Sequence, residues 1–181
     1  MATNGKKCFY ITGLPGTGKT TVIKELQKRG IISFDMDEVA GLCHWRHKKT
    51  FERVDYHSGA GKEWLDCHEW VGDVVKLKEI IAARREPVVI GGFISNQNEY
   101  LSLFDEVFLL QCSQDTMISR LKARIGKDEY GKTEIEREMI LRDRREFERD
   151  SIERGAIVIN TEESIDRAIK KIISTVWGDR F

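Results

Sequence analysis

Residues 13–20 read Gly-Leu-Pro-Gly-Thr-Gly-Lys-Thr, a complete GxxxxGK[ST] run. No other stretch restricts the possible folds as much, because such a loop has to join a buried strand to the start of a helix. Both neighbours comply. Cys8-Phe9-Tyr10-Ile11 is an apolar run that suits a buried strand. Beyond the loop, Val22, Ile23 and Leu26 keep one helical face apolar, and Gly30 is placed to end that helix. In this setting each residue type has a task on a nucleoside triphosphate. Gly13, Gly16 and Gly18 let the backbone turn and approach phosphate closely. The N–H groups of residues 16–20 then converge at the positive end of the helix, which makes Thr17 and the helix-opening Thr21 nucleotide contacts as well. Lys19 reaches the β- and γ-phosphates, and the Thr20 hydroxyl is a ligand for Mg²⁺.

A chain of 181 residues supports one domain, spanning 1–181, with room for small inserted pieces. The formal net charge of +0 weighs against a strongly basic nucleic-acid binder, local patches excepted. The start has no signal-peptide core, and no apolar run is long enough to span a membrane. Cys8, Cys43, Cys67 and Cys112 are scattered, as expected for reduced thiols in a cytoplasmic protein.

Five short apolar runs, at 7–12, 31–35, 87–92, 106–111 and 156–160, alternate with helical patterns. They lack polar alternation, so both faces should be covered. Strands spaced by helices predict an α/β fold with a parallel sheet built from right-handed βαβ units. The spacing of Trp70, Val74, Leu77 and Ile81 predicts a helix over 63–84, and Ile165, Ile169, Ile172, Ile173 and Val176 predict the last one. Thr133 and Glu136 form a capping box that opens a charged helix, with Gly155 placed to close it. Two segments stand outside this scaffold. Residues 38–68 are expected to bind an acceptor, and the glycine-bounded polar stretch 124–134 is expected to be a mobile lid.

The second apolar run ends in Phe34-Asp35-Met36-Asp37-Glu38. Ligands of open α/β sheets bind beyond the carboxyl ends of the strands, so these acids should lie beside the phosphate loop. One carboxylate can hold Mg²⁺, a task assigned here to Asp35. The other can take the proton of an acceptor hydroxyl, a task that favours Asp37, although Asp37 could instead cap the next helix.

The loop GLPGTGKT, the FDMDE strand end, the VVIGG strand, the pair Arg120 and Arg124 before the polar stretch, and the Asn160-Thr-Glu-Glu-Ser turn together resemble the P-loop small-molecule and nucleoside-monophosphate kinases, such as shikimate, gluconate and adenylate kinases. The resemblance implies a three-layer sandwich. Its five-stranded parallel sheet would have the order 2-3-1-4-5, with helices on both faces and a mobile lid. It also implies ATP with Mg²⁺ as donor and a small-molecule acceptor. Within it, Asp35 and Asp37 match the DxD of the shikimate kinase branch, and Gly91 and Gly92 match part of that branch's acceptor turn. Arg120 would lie against adenine, Arg124 would face the transferring phosphate, and Arg142 or Arg145 would close on it. The turn at Asn160 and Thr161 would line the adenine pocket. The shikimate-holding arginines and the Asp-Gly-x-Pro-Arg segment of adenylate kinases are missing, so the acceptor does not carry over. The acid–base alternation over 133–154 also marks most arginines there as a solvated, salt-bridged face, with Arg142, Arg144 and Arg145 each kept as a candidate phosphate contact.

All four histidines and three of the four tryptophans fall between residues 44 and 70. Aromatic faces can stack a base, which favours a nucleoside or nucleotide acceptor over a shikimate- or gluconate-like metabolite. Trp64, His68, Arg46, His47 and Arg53 are candidate acceptor contacts, whereas Trp70 reads as core. Cys43-His44-x-x-His47 with Cys67-His68 resembles a loose zinc spacing but fits no familiar interval. The rival class is a partner-dependent P-loop ATPase or assembly factor. No Asn-Lys-x-Asp guanine signature is present, and the chain is short for motor machinery. A kinase of an RNA or of an antibiotic-like compound is the third possibility.

Overall fold

The computed structural model describes residues 8–57, 59–125 and 130–177. The central sheet is made of β1 (Cys8–Thr12), β2 (Ser33–Asp35), β6 (Val88–Gly91), β7 (Glu106–Gln111) and β8 (Ile157–Asn160). All its pairings are parallel, in the order β2-β6-β1-β7-β8. Counting only these strands, that is the expected order 2-3-1-4-5. β1 is central, and its five residues are all buried.

Helices cover both faces. On one, α1 (Lys19–Lys28) and α7 (Ile165–Trp177) bring Val22, Ile23, Leu26, Ile169, Ile172 and Val176 onto Phe9, Ile11, Phe108 and Leu110. On the other, Leu77 of α3 (Val74–Ala82) joins Tyr10, Ile90, Met36 and Tyr100. A third cluster forms where Met117 and Leu121 of α4 (Gln114–Lys122) meet Ile140 of α5 (Glu134–Arg142) beneath Leu14 and Cys112. Burial of this many large aliphatic side chains, at about 1.5–3 kcal/mol each, anchors the loop ends that carry the site.

Two expected helices are not continuous. Residues 63–84 divide into α2 (Lys62–Cys67), β5 (His68–Gly72) and α3. The middle piece, His-Glu-Trp-Val-Gly, pairs antiparallel with β3 (Cys43–His47), which also pairs with β4 (Arg53–Val54). Together they form a separate three-stranded sheet, β4-β3-β5. Gly72 and Asp73 make the break. A Cβ at Gly72 would meet Ile94 Cδ1 at 2.4 Å, and the Asp73 carboxylate caps α3 by accepting the Lys76 N–H at 2.9 Å. Trp70 therefore lies on a strand, not on a helical stripe.

The charged helix opens with the expected capping box at Thr133 and Glu136, but it ends at Arg142. After Asp143 the chain starts again as α6 (Arg144–Glu153). The bend lets α5 bury Ile140 beside α4 while α6 runs along β7, where Arg144 Nη2 donates to the Cys112 carbonyl at 2.6 Å. Gly155, at φ 90, turns the chain from α6 into β8. The four cysteines are free thiols. Among the described residues no helix is long and apolar enough to cross a membrane.

Candidate active site

The phosphate loop lies between β1 and α1 and is held from three sides. Gly16 has φ 90, and a Cβ there would sit 2.8 Å from Met117 Cγ and 2.9 Å from the Met117 carbonyl. Gly16→Ala therefore meets both a backbone penalty and a rigid wall. It is expected to cost about 1–3 kcal/mol in stability and to abolish any thermal upshift that ATP produces in the wild-type protein. An undiminished upshift in a calorimetric scan would count against a phosphate nest at this loop. Thr17 is buried, and its hydroxyl donates to the Leu14 carbonyl at 2.8 Å. Gly18, at φ 100, forms the N-cap of α1, so the first helical N–H groups face the concavity. Thr21 lies in the first turn of α1 and is exposed.

Lys19 is buried, and its Nζ donates to the Gly13 carbonyl at 2.6 Å and the Leu14 carbonyl at 3.3 Å. The Phe93 ring lies 5.7 Å from the same ammonium. Burial lowers its pKa to about 8, against the opposing pull of Asp35 and Asp37. The ammonium is thus folded back over its own loop, in a position from which it can swing to a phosphate.

β2 delivers the acids. Asp35 is buried; Oδ2 accepts the Thr20 hydroxyl at 2.9 Å and Oδ1 accepts the Asp37 N–H at 3.2 Å. Asp35, and not Asp37, therefore caps the short 3₁₀ turn Met36–Glu38. The hydroxyl and carboxylate oxygens of Thr20 and Asp35 are the hard ligands Mg²⁺ prefers. A site offering one or two protein oxygens fits an ion that takes its remaining ligands from water and phosphate. Asp37 is freed for another task. Its Oδ1 accepts the Trp70 indole N–H at 2.8 Å. Burial, and then the neighbouring Asp35 charge, raises its pKa above the ordinary carboxylate value.

The arginines sort by partner. Arg120 spans the loop and the turn after β8, with Nη1 donating to the Thr17 carbonyl at 3.3 Å and Nη2 to the Thr161 carbonyl at 2.8 Å. The Thr161 hydroxyl donates to the Thr17 carbonyl at 2.8 Å, so Arg120 and Thr161 clamp the loop together. The Asn160 side chain instead accepts the Glu162 N–H at 2.9 Å. Arg124 Nη1 donates to the Tyr130 carbonyl at 2.8 Å. The central part of the expected lid, residues 126–129, lies outside the described residues. Arg142 pairs with Asp66 and Asp143, Arg144 pairs with Glu148, and Arg145 is exposed.

The small sheet forms the other wall. Trp45 stacks on Tyr56 at 5.5 Å and touches Trp64, Trp70 and Tyr130 with ring centroids 5.2–5.9 Å apart. The Tyr56 hydroxyl donates to Glu136, so α5 is tied to this wall. Trp64 and His68 stack at 4.1 Å. Register pairs Trp45 with Trp70 and puts Arg46 and Arg53 on the opposite face of the sheet. Among the described residues no three His, Cys, Asp or Glu side chains are placed to hold a metal ion together. Sequence reasoning missed Trp70 as a site residue. Its signal was the local alternation of 68–72, which the longer helical spacing masked.

A phosphate loop with a Thr–Asp pair beside it and a second carboxylate nearby defines a P-loop nucleotide-binding protein with the layout of the small-molecule and nucleoside-monophosphate kinases. Residues 10–142 match the AAA domain family AAA_18, and the chain belongs to that family. A protein of Archaeoglobus fulgidus provisionally named an adenylate kinase is 26% identical over 173 residues, covering 94% of this chain and 82% of its own. Among solved structures, the shikimate kinase of Acinetobacter baumannii in complex with shikimate superposes with TM-score 0.60 at 20% identity, covering 98% of this chain and 97% of that one. A gluconokinase of Sinorhizobium meliloti superposes with TM-score 0.54 at 16% identity, covering 94% and 91%. The resemblance to P-loop kinases stated from the sequence therefore holds.

Proposed function

We propose that this protein is an ATP- and Mg²⁺-dependent phosphotransferase that phosphorylates a hydroxyl or phosphate of a small molecule, a nucleoside or nucleotide first among the candidates. The observation that carries this reading is Asp37. It is an exposed residue whose carboxylate has a raised pKa, is oriented by the Trp70 indole and lies beside the Thr20–Asp35 pair. Hydrolysis too can use a residue that orients water, but Asp37 is held against the aromatic wall, which suits an organic acceptor. A second oriented carboxylate is what an acceptor hydroxyl needs.

In this reading the loop N–H groups and Lys19 bind the β- and γ-phosphates, and Arg120 with Thr161 and Asn160 borders the base. Thr20 and Asp35 would hold Mg²⁺, which would offset the charge on the phosphates. Asp37 accepts the acceptor's proton, Arg124 faces the transferring group, and residues 124–134 close over it. Catalysis is positioning and charge neutralisation. The aromatic wall of Trp45, Tyr56, Trp64 and Trp70 supports a ring-bearing acceptor, and the provisional name of the Archaeoglobus fulgidus relative supports a nucleotide. The shikimate kinase and gluconokinase folds support a hydroxylated metabolite as the next candidate. The free thiols fit a cytoplasmic setting.

The AAA domain match favours one second reading, a partner-stimulated ATPase. Transfer from γ-labelled ATP to a panel of nucleosides, nucleoside monophosphates, shikimate, gluconate and small sugars separates the two. A labelled organic product is expected. Release of inorganic phosphate alone across the panel would move the assignment to the ATPase.

A further inference from the structure

The β3–β4 hairpin carries a second charged surface, on the sheet face turned away from Trp70 and Asp37. Register sets Arg46 directly opposite Arg53, with His44 two residues along the same face and Glu69 across from Arg46. Arg46 Nε pairs with Glu69 at 2.9 Å. Arg53 has no ion-pair partner among the described residues. Burial, and then the charges of Arg53 and Arg46, hold the His44 imidazole below its ordinary pKa. Like charges directly opposite on neighbouring strands are destabilising, so this face keeps a repulsion that a single change would remove.

The hairpin tip adds an aromatic ring. Phe51 is 63% exposed and has φ 60, the one positive φ among the described non-glycine residues. The Arg46 guanidinium lies 5.0 Å from its ring centroid. The tip is internally fixed: Phe51 N–H donates to the His47 carbonyl at 2.8 Å, and Lys49 and Thr50 N–H both reach His47 Nδ1 at 3.2 Å. A large residue in the left-handed region is a strained choice where glycine would serve, and an exposed phenyl gains nothing from burial. An exposed ring on the hairpin tip, with the exposed Lys49 and Arg53 two residues to either side in sequence, is the combination that stacks a base and tracks a phosphate backbone.

We propose that this outer face of the hairpin binds single-stranded nucleic acid, with phosphates against the exposed Lys49 and Arg53 and a base stacked on the face of Phe51 that Arg46 leaves open. The surface is separate from the cleft, so the proposal goes beyond the reading of that cleft and stands independently of it. A lone nucleotide shares the chemistry. The spread of cations from the tip at Lys49 back to Arg53 favours a strand with successive phosphates. The neutral whole-chain charge does not register so local a stripe.

The test is fluorescence anisotropy with a short labelled oligouridine, titrated with protein over about 50–200 mM salt. Binding that weakens as salt rises is expected. Arg53→Glu should weaken it about tenfold or more while leaving the thermal midpoint unchanged or higher, because the new carboxylate faces Arg46. Phe51→Ala should weaken it about tenfold with no change in salt slope. Saturating ATP should leave the strand bound. No binding at low salt, equal binding by both variants, or displacement by ATP would each overturn the proposal. So would equally tight binding of a polyglutamate peptide or of uridine monophosphate.

Discussion

Lys19→Ala is expected to lose phosphoryl transfer by about 10²–10³-fold or more while folding at least as well as the wild type. The first half follows from position. Among the described residues Lys19 is the one cation buried at the loop, within reach of the carbonyls of Gly13 and Leu14. The second half follows from electrostatics. Burial lowers the pKa of the ammonium to about 8, so folding disfavours its charge. Between about pH 8 and the ordinary lysine value of 10.5 the unfolded chain binds the proton and the folded one does not, so wild-type stability should rise with pH across that window. Lys19→Ala should lack this rise. By the same titration, kcat/KM for nucleotide should fall above about pH 8 as the free enzyme loses the charge that meets phosphate. Thermal scans at several pH values and a pH–rate profile read both effects. Full transfer by Lys19→Ala would remove the kinase assignment.

The parts of the fold and site that could be read from sequence are those whose signals are local. Gly13 to Thr20 fixes a loop whose backbone needs are written in glycines, and the Thr133–Glu136 box marks a helix start by its own hydrogen bonds. The five apolar runs gave the sheet because a strand buried on both faces cannot hide its composition. The insert was harder. Trp70, Val74, Leu77 and Ile81 have helical spacing, but Trp70 belongs to a strand that exists only because residues 43–47 lie beside it. That pairing depends on Gly72 fitting against Ile94, a contact between distant residues that no window over 63–84 contains. The break at Asp143 has the same origin, since it answers to the different walls that α5 and α6 must reach. The role of Trp70 was hidden for the same reason. Its indole finds Asp37 only after the small sheet folds against the large one. By contrast, the pairing of Thr20 with Asp35 was legible, because a helix N-terminus and a strand end in this topology have to meet at the loop.

Asp37→Asn should lower kcat by about 10²–10⁴-fold with little change in the Mg²⁺ concentration needed for half-maximal rate. Asparagine keeps an oxygen to accept the Trp70 indole N–H, so the geometry at 2.8 Å survives while the proton acceptor is lost. Asp35→Asn should act differently. Its amide oxygen can still accept one of the two bonds that Asp35 makes, from the Thr20 hydroxyl or the Asp37 N–H, but the negative charge for the metal is gone. The Mg²⁺ requirement should then rise, with rate partly recovered at high metal. Measuring kcat against Mg²⁺ for both variants separates the roles, and equal shifts in both would mean that the two acids act as one metal site. Acceptor-independent ATP hydrolysis adds a further control. Acceptor-independent hydrolysis is a slow side reaction of solvent water that Asp37 is not placed to serve, so Asp37→Asn should keep more of its hydrolysis than of its transfer. A variant that lost both in equal measure would point to Asp37 as part of the nucleotide site, leaving the acceptor hydroxyl to find its base elsewhere in the wall of Trp45, Tyr56 and Trp64.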